Sequence, residues 1–128
     1  MTAPLPGSLL AAIIGISADA IICVDCEQKI TFFNEGAVSI FGYSAEEVMG
    51  KPLDILLPER ARAMHPHHIA GFMRSDVPAR RMGERREIAG RRKNGDEFPA
   101  EAAIAKMDVA GQAYASVVLR DVTERNRV

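Results

Sequence analysis

The chain has 128 residues, 48% of them hydrophobic and 26% charged, a composition that is typical of one globular domain and excludes a disordered chain. Its formal net charge of -1 shows no basic excess and so gives no whole-chain reason to expect nucleic acid or an anionic membrane as a partner. No apolar run reaches the roughly 18 residues that cross a bilayer, and the N-terminus lacks the basic start of a signal peptide. We therefore expect a cytoplasmic protein without membrane insertion.

The N-terminal stretch PGSLLAAIIGIS predicts a short helix within residues 1–18. This helix is apolar on more than one face, because its hydrophobic residues do not keep to one stripe: Leu9, Leu10, Ala12, Ile13, Ile14 and Ile16. Packing against its own domain would leave apolar surface that a second copy can cover. We therefore expect a homodimer that forms through this segment. The alternative is a helix that is wholly buried within one chain.

Two strand patterns follow, AIICVD and KITFFN, joined by a polar turn as in a hairpin. Cys23 falls in the first strand and Cys26 in the turn. A single CxxC pair cannot complete a tetrahedral zinc site, and a redox pair needs a helix N-terminus to stabilise its thiolate. The pattern therefore predicts one half-buried cysteine and one turn cysteine, without a redox or metal role.

The middle of the chain carries closely spaced helix signals. Asn34 stands where a strand ends and can cap a first helix. Ser44 and Glu47, three residues apart, form a capping box for a second helix. After one brief turn, a longer helix is expected to begin near Glu59 and to end at the polar stretch SDVPARRMG.

Three further strand patterns complete the chain: REIAGRR, EFPAEAAIAKMDV and GQAYASVVLRDV. The first two are joined by KNGDE, in which Asn-Gly favours a tight hairpin turn. The order of elements predicts an α+β fold, a five-stranded antiparallel sheet with short helices on one face and a flanking N-terminal helix. Helices packed on a sheet in this way enclose one interior pocket.

The basic tract RRMGERREIAGRRK interleaves its arginines with Glu84 and Glu87, which is typical of a salt-bridged surface and not of a phosphate-binding one. Glu101 and Asp121 are further candidate partners for the arginines, and the sequence leaves the pairing open. The chain has no nucleophile elbow, phosphate-binding glycine loop or HExxH spacing that would organise its carboxylates for catalysis. We therefore expect no enzymatic activity from this chain.

The chain resembles a PAS domain over nearly its whole length. The resemblance is carried by four stretches of sequence: DAIICVD, ITFFNEGAVSIFGYSAEEVMGKPLDILLPE, REIAGRRKNGDEFPAEAAI and VVLRDVTER. PAS domains are sensory and dimerisation modules upstream of histidine kinases, diguanylate cyclases and similar outputs. The resemblance implies a signal-input domain that forms a homodimer and acts on a downstream output domain, with any catalytic step outside this chain. Its interior is expected either to bind a small molecule or to be an empty, well-packed core.

The resemblance also implies a division of the chain. Residues 1–18 are expected to form the N-terminal helix with its dimer contact, and residues 19–123 the PAS domain. Residues 124–128 are expected to begin a C-terminal signalling helix or linker, because Thr123 can cap a helix whose first turn holds Glu124.

All three histidines lie between residues 65 and 68. The haem-binding PAS domains of the FixL type ligate iron through one histidine of the long helix. Counting forward from LLPE places His65 at that position, whereas counting back from GRRKNG shifts the match by one residue. His68 is the second candidate, since positions three apart lie on neighbouring helix faces, and His67 points elsewhere.

The same resemblance implies further contacts for a haem group. Arg85 or Arg86 matches an arginine near bound oxygen, and Ile104 matches an apolar residue of the distal wall. The chain departs from the haem-binding pattern at two positions, because Glu84 comes near an isoleucine of the relatives and Ala102 replaces a leucine.

The identity of a cofactor stays open at this point. Pro66 directly after His65 disfavours helical geometry for that histidine, so the histidines also fit a plain surface helix. Flavin is less favoured than haem b, because GKPLDILLPER contains no cysteine and the chain has no tryptophan and only two tyrosines. The sequence favours a sensory PAS domain without haem; the alternative is a haem-binding oxygen or redox sensor with His65 as axial and metal ligand.

Overall fold

In the computed structural model of this chain, structure is described for residues 19–62, 71, 73, 79–82 and 88–123, with the backbone alone described at residues 60 and 79–82. The helix expected within residues 1–18 and the one expected from residue 124 lie outside these ranges. Over the described ranges, no helix has the length and apolar character of a membrane span.

Within these ranges, six strands form one antiparallel sheet: β1 (Ala20–Val24), β2 (Ile30–Phe33), β3 (Ala79–Met82), β4 (Ile88–Arg91), β5 (Glu97–Val109) and β6 (Gln112–Asp121). Their spatial order is β2-β1-β6-β5-β3, and β4 also pairs with β5. The first and second strands of the sequence thus lie on one side of the sheet, and the long β5–β6 hairpin forms its centre.

Strands β3 and β4 lie end to end along the same edge of β5. The backbone of β3 pairs with residues 102–105, and that of β4 pairs with residues 97–100. The sheet is therefore five strand positions wide, which confirms the predicted five-stranded antiparallel sheet. The separate segment β3 was not predicted, because SDVPARRMG was interpreted only as the end of a helix.

Short helices connect the two halves of the sheet: α1 (Glu35–Phe41), α2 (Ala45–Val48), a 3-10 helix (Leu53–Leu56) and α3 (Glu59–Arg62). The predicted caps are confirmed. The Asn34 side chain accepts a hydrogen bond from the Ala37 amide at 2.9 Å. Ser44 and Glu47 form the reciprocal capping box, in which each side chain accepts from the other residue's backbone amide.

The core lies between the helices and one face of the sheet, which we call the inner face. Strand residues alternate between the two faces, so every second residue of the central strands points inward. Three phenylalanines join the two layers: the ring of Phe41 in α1 lies 6.2 Å from that of Phe33 and 5.5 Å from that of Phe98. This aromatic cluster fixes α1 against the sheet.

Candidate functional site

Small side chains occupy much of the inner face. Four buried alanines come from the three central strands: Ala20 of β1, Ala100 and Ala102 of β5, and Ala115 of β6. Alanine side chains protrude little from the sheet toward the helices, and they present no charge or hydrogen-bonding group. The inner face is therefore chemically suited to an apolar or weakly polar molecule.

Ile104 lies on this inner face, opposite Val117 of β6, and is 1% exposed. It is the one residue of the sequence-predicted haem site that falls within the described part of the chain. His65, His67, His68, Arg85 and Arg86 lie outside the described residues, so their roles remain predictions. Within the described ranges, no group of three or more potential metal-ligating side chains is found.

Asn34 is the one polar side chain among the buried residues that the structure describes, with 3% exposure. Its amide oxygen accepts from the amides of Ile21 at 2.8 Å and Ala37 at 2.9 Å. Its amide nitrogen donates to the Asp19 carbonyl at 3.1 Å. The side chain thus joins the start of β1 to the start of α1, and its role is structural.

Arg92, directly after β4, connects the core to the end of the sheet. Its guanidinium carbon lies 4.2 Å from the centre of the Phe98 ring, a cation–π contact. One nitrogen donates to the Ile40 carbonyl near the end of α1, and another lies 2.8 Å from a carboxylate oxygen of Asp121. The sequence named Asp121 as a candidate partner for the arginines, and the structure confirms that pairing with Arg92.

Asp121 is the last residue of β6, and its two carboxylate oxygens face different partners. One accepts from Arg92, while the other accepts from the backbone amide of Thr123 at 2.9 Å and from the Thr123 hydroxyl. Burial opposes ionisation of this carboxyl, but the hydrogen bonds from Thr123 and Arg92 outweigh it and hold the pKa of Asp121 below its ordinary value. The carboxylate therefore ties the end of the sheet to the point where the chain leaves it.

Lys93 adds a second connection between this hairpin and the helices. Its backbone amide donates to the Phe41 carbonyl at 2.8 Å, so it satisfies a carbonyl at the end of α1. Its ammonium group forms an ion pair with Glu47 of α2. This pair, together with the capping-box amide of Ser44, lowers the pKa of Glu47. The helices and the β4–β5 turn consequently form one connected unit.

Cys23 and Cys26 are both free thiols. Cys23 is half-buried in β1, and burial raises the pKa of its thiol against the opposing effect of a hydrogen bond with Ser116. Cys26 is exposed in the turn. One half-buried and one turn cysteine is the arrangement that the sequence predicted.

Comparison with known proteins identifies the family. The PAS domain family matches residues 18–124. Sensor protein FixL of Bradyrhizobium diazoefficiens is 31% identical over 118 residues, which are 92% of this chain and 23% of that protein. Oxygen sensor protein DosP of Escherichia coli is 30% identical over 102 residues, which are 80% of this chain and 13% of that protein.

Solved structures agree with the fold. The PAS domain of a protein from Colwellia psychrerythraea has a TM-score of 0.77 at 23% identity, covering 92% of this chain and 98% of that one. The chain spans less than a quarter of the length of the two curated relatives, so it corresponds to one module of such proteins. The resemblance inferred from the sequence is confirmed, and this chain belongs to the PAS domain family of sensory modules.

Proposed function

We propose that this PAS domain is the signal-input and dimerisation module of a larger bacterial signalling protein, such as a sensor histidine kinase or a diguanylate cyclase. The observation that carries the proposal is the set of contacts around Arg92. This residue contacts Phe98 of the core, the end of α1 and Asp121 at the end of the sheet. A shift of the aromatic cluster would therefore displace the Arg92 guanidinium, which also forms an ion pair with Asp121 at the end of the sheet.

These contacts support a route for the signal from the inner face, through Arg92, to the end of β6. A small molecule on the inner face would displace Phe41 or Phe98, and Arg92 would move with the ring that it covers. Asp121 would then change its hold on Thr123, which is the last described residue of the chain. An output domain beyond residue 128 would receive this change as a movement of the connecting segment, and any enzymatic reaction would belong to that domain. A cytoplasmic location stays a prediction of the sequence.

A fusion of this chain to a histidine kinase core tests the proposal. We expect Asp121→Asn to change the basal rate of autophosphorylation several-fold, because the neutral amide loses the charge that holds Arg92. The matched control is Asp108→Asn, a substitution of an exposed carboxylate in the outer part of the β5–β6 hairpin. Equal rates for the wild-type fusion and both variants would contradict the proposed route.

A second candidate function is haem-based sensing of oxygen or redox state, with His65 as axial ligand. Two observations favour it: FixL and DosP are among the relatives, and the name of DosP states that it is an oxygen sensor. The buried Ile104 on the described inner face is an apolar side chain of the kind that the wall of a haem site requires. Haem would supply the gas-binding iron, and this chain would supply the apolar wall and the imidazole.

Absorption spectroscopy of the domain mixed with hemin distinguishes the two candidates. Under the haem proposal, a sharp Soret band forms and shifts with carbon monoxide after reduction. His65→Ala abolishes the band, and His67→Ala leaves it. Loss of the band in His68→Ala alone would move the ligand to that residue. The broad absorbance of free hemin in the wild type would exclude haem and leave the first proposal unaffected.

A further inference from the structure

The first strand begins beside the point where the last strand ends. In the antiparallel pairing of β1 and β6, Ala20 at the start of β1 lies opposite Leu119, near the end of β6. The residues directly beyond this pair are Asp19 and Arg120. The segment before residue 19 and the segment after residue 123 therefore continue from the same end of two adjacent strands.

An ion pair joins these two strand ends on the face of the sheet turned away from the helices. Side chains alternate between the two faces of a strand, and Arg120 is exposed while its neighbour Leu119 is buried. Nε of Arg120 lies 3.4 Å from one carboxylate oxygen of Asp19, and a terminal guanidinium nitrogen lies 3.4 Å from the other. Two parallel contacts of this kind constrain the direction of both side chains as well as their distance.

Asp19 and Arg120 each have a further connection to the sheet. The Asp19 carbonyl accepts from the buried side chain of Asn34 at 3.1 Å, so the backbone before β1 is also held from the inner side. Glu101 lies opposite Arg120 in the register of β5 and β6. The hydrogen bond and charge of Asp19, together with the smaller effect of the Glu101 charge, raise the pKa of Arg120. The guanidinium thus lies between two carboxylates, one on each side of β6.

The next residue of β6 carries the contacts at the other side of the sheet. Asp121 forms an ion pair with Arg92, which also bonds to the end of α1, and it accepts from the backbone amide of Thr123. Arg120 and Asp121 are consecutive, so their ion pairs hold the end of β6 from opposite faces of the sheet. A movement of the strand end that stretches one pair must also displace the other.

We infer that the ion pair between Asp19 and Arg120 is a positioning contact that couples the start of the sheet to the point where the chain leaves it. A displacement of the segment before residue 19 moves Arg120, and with it the end of β6, without any change on the inner face. The pair thus provides a second input, separate from a molecule bound on the inner face. The inference rests on the proposed function, because it assumes an output domain beyond residue 128.

A double-mutant cycle in the histidine kinase fusion tests the coupling. An exposed ion pair shifts a two-state equilibrium by about two- to fivefold, so we expect Asp19→Asn and Arg120→Gln each to change the basal rate of autophosphorylation by that factor. Because both substitutions break the same contact, the double variant should show the same change and not the product of the two. The control is the exposed ion pair between Glu27 and Lys29 at 3.3 Å. Glu27→Gln and Lys29→Gln should leave the rate unchanged.

Three results of this cycle would overturn the inference. The first is a double variant in which the two effects multiply, and the second is an equal change in the control pair. The third is a rate that responds to Asp121→Asn but not to Asp19→Asn, in which case the route through Arg92 stands alone. Thermal unfolding verifies that each variant is folded at the temperature of the assay.

Hydrogen exchange in the chain without an output domain measures the same coupling directly. The Thr123 amide donates to Asp121, so its exchange rate reports on the end of β6. We expect Asp19→Asn to raise this rate by about two- to fivefold and Glu27→Gln to leave it unchanged. Equal rates in the two variants would contradict the coupling, whatever the fusion shows. If the exchange rate rises while no variant of the fusion responds, the coupling stands and the proposed signalling role fails.

Discussion

The Phe98 ring lies so close to the backbone of Gly90 that it restricts the side chain at this position. A β-carbon added there would lie 2.5 Å from the nearest atom of the Phe98 ring, which belongs to the core and carries Arg92 on its face. Gly90→Ala must therefore displace the ring, and we expect it to destabilise the domain by about 1 to 3 kcal/mol. Gly71→Ala, whose added β-carbon would meet no atom of the described residues within 4 Å, is the control and should be close to neutral. Urea unfolding of the two variants measures the difference, and equal midpoints would show that Phe98 moves freely.

Asp121 gives the stability of the domain a predictable dependence on pH. Because its pKa is lowered in the folded state, its contribution is complete above the ordinary aspartate pKa of about 3.9 and is lost as the pH falls through the folded value. We expect Asp121→Asn to cost about 1 to 2 kcal/mol at pH 7. Urea unfolding at a series of pH values should show the gap between wild type and variant closing below pH 4. If the difference in the free energy of unfolding between the wild type and Asp121→Asn did not change with pH, the loss of stability would come from packing and not from the charge.

The single residues that the sequence predicted correctly are those whose partners lie nearby in the chain. The cap of Asn34 on Ala37 and the Ser44–Glu47 box act on amides three residues away, so these contacts follow from local order alone. The bonds of Asn34 to Ile21 and Asp19 depend on the fold. Asp121 was recognised as a partner for an arginine, but choosing Arg92 requires the register of three strands. The contact between Gly90 and Phe98 depends on the same register, and no local pattern reveals it.

At the scale of elements, the junction between β1 and α1 depends on Asn34. Asn34→Ala leaves the amides of Ile21 and Ala37 without their acceptor in a buried place, so we expect a loss of about 2 to 3 kcal/mol in the free energy of unfolding. Asn34→Asp keeps the acceptor for both amides but sets a carboxylate oxygen against the Asp19 carbonyl. The stronger hydrogen bonds from the two amides to the charged group offset part of this repulsion, so the substitution should cost less than Asn34→Ala. Thermal unfolding of both variants checks this order, and a larger loss for the aspartate variant would contradict it.

The element that sequence reasoning missed is β3. Its residues, ARRM, do not alternate between apolar and polar types, so they resemble a loop. The length of β5 held the missing information: its thirteen residues extend well beyond the four of β4 and leave backbone groups for another strand. The predicted haem contacts other than Ile104 lie outside the described residues, and the absorption experiment with hemin tests them.

For the whole molecule, we expect the chain to form a homodimer that depends on residues 1–18. The apolar residues of this segment are spread around more than one helix face, so docking on one sheet leaves surface for a second copy. Sedimentation should give a dimer for the full chain and a monomer for a chain that begins at Asp19. A monomer in both cases would contradict dimerisation.

The broken edge made by β3 and β4 affects how copies of this protein can meet. An exposed strand edge is a template on which a foreign strand can add, and long straight edges are the usual sites of aggregation. Here β3 and β4 are each four residues long, and β2 at the other edge is equally short, with a register shift in its pairing with β1. Over the part of the chain that the structure describes, neither edge offers a long continuous row of backbone donors and acceptors. Two copies can thus be held close together in a signalling assembly without their sheets merging into one.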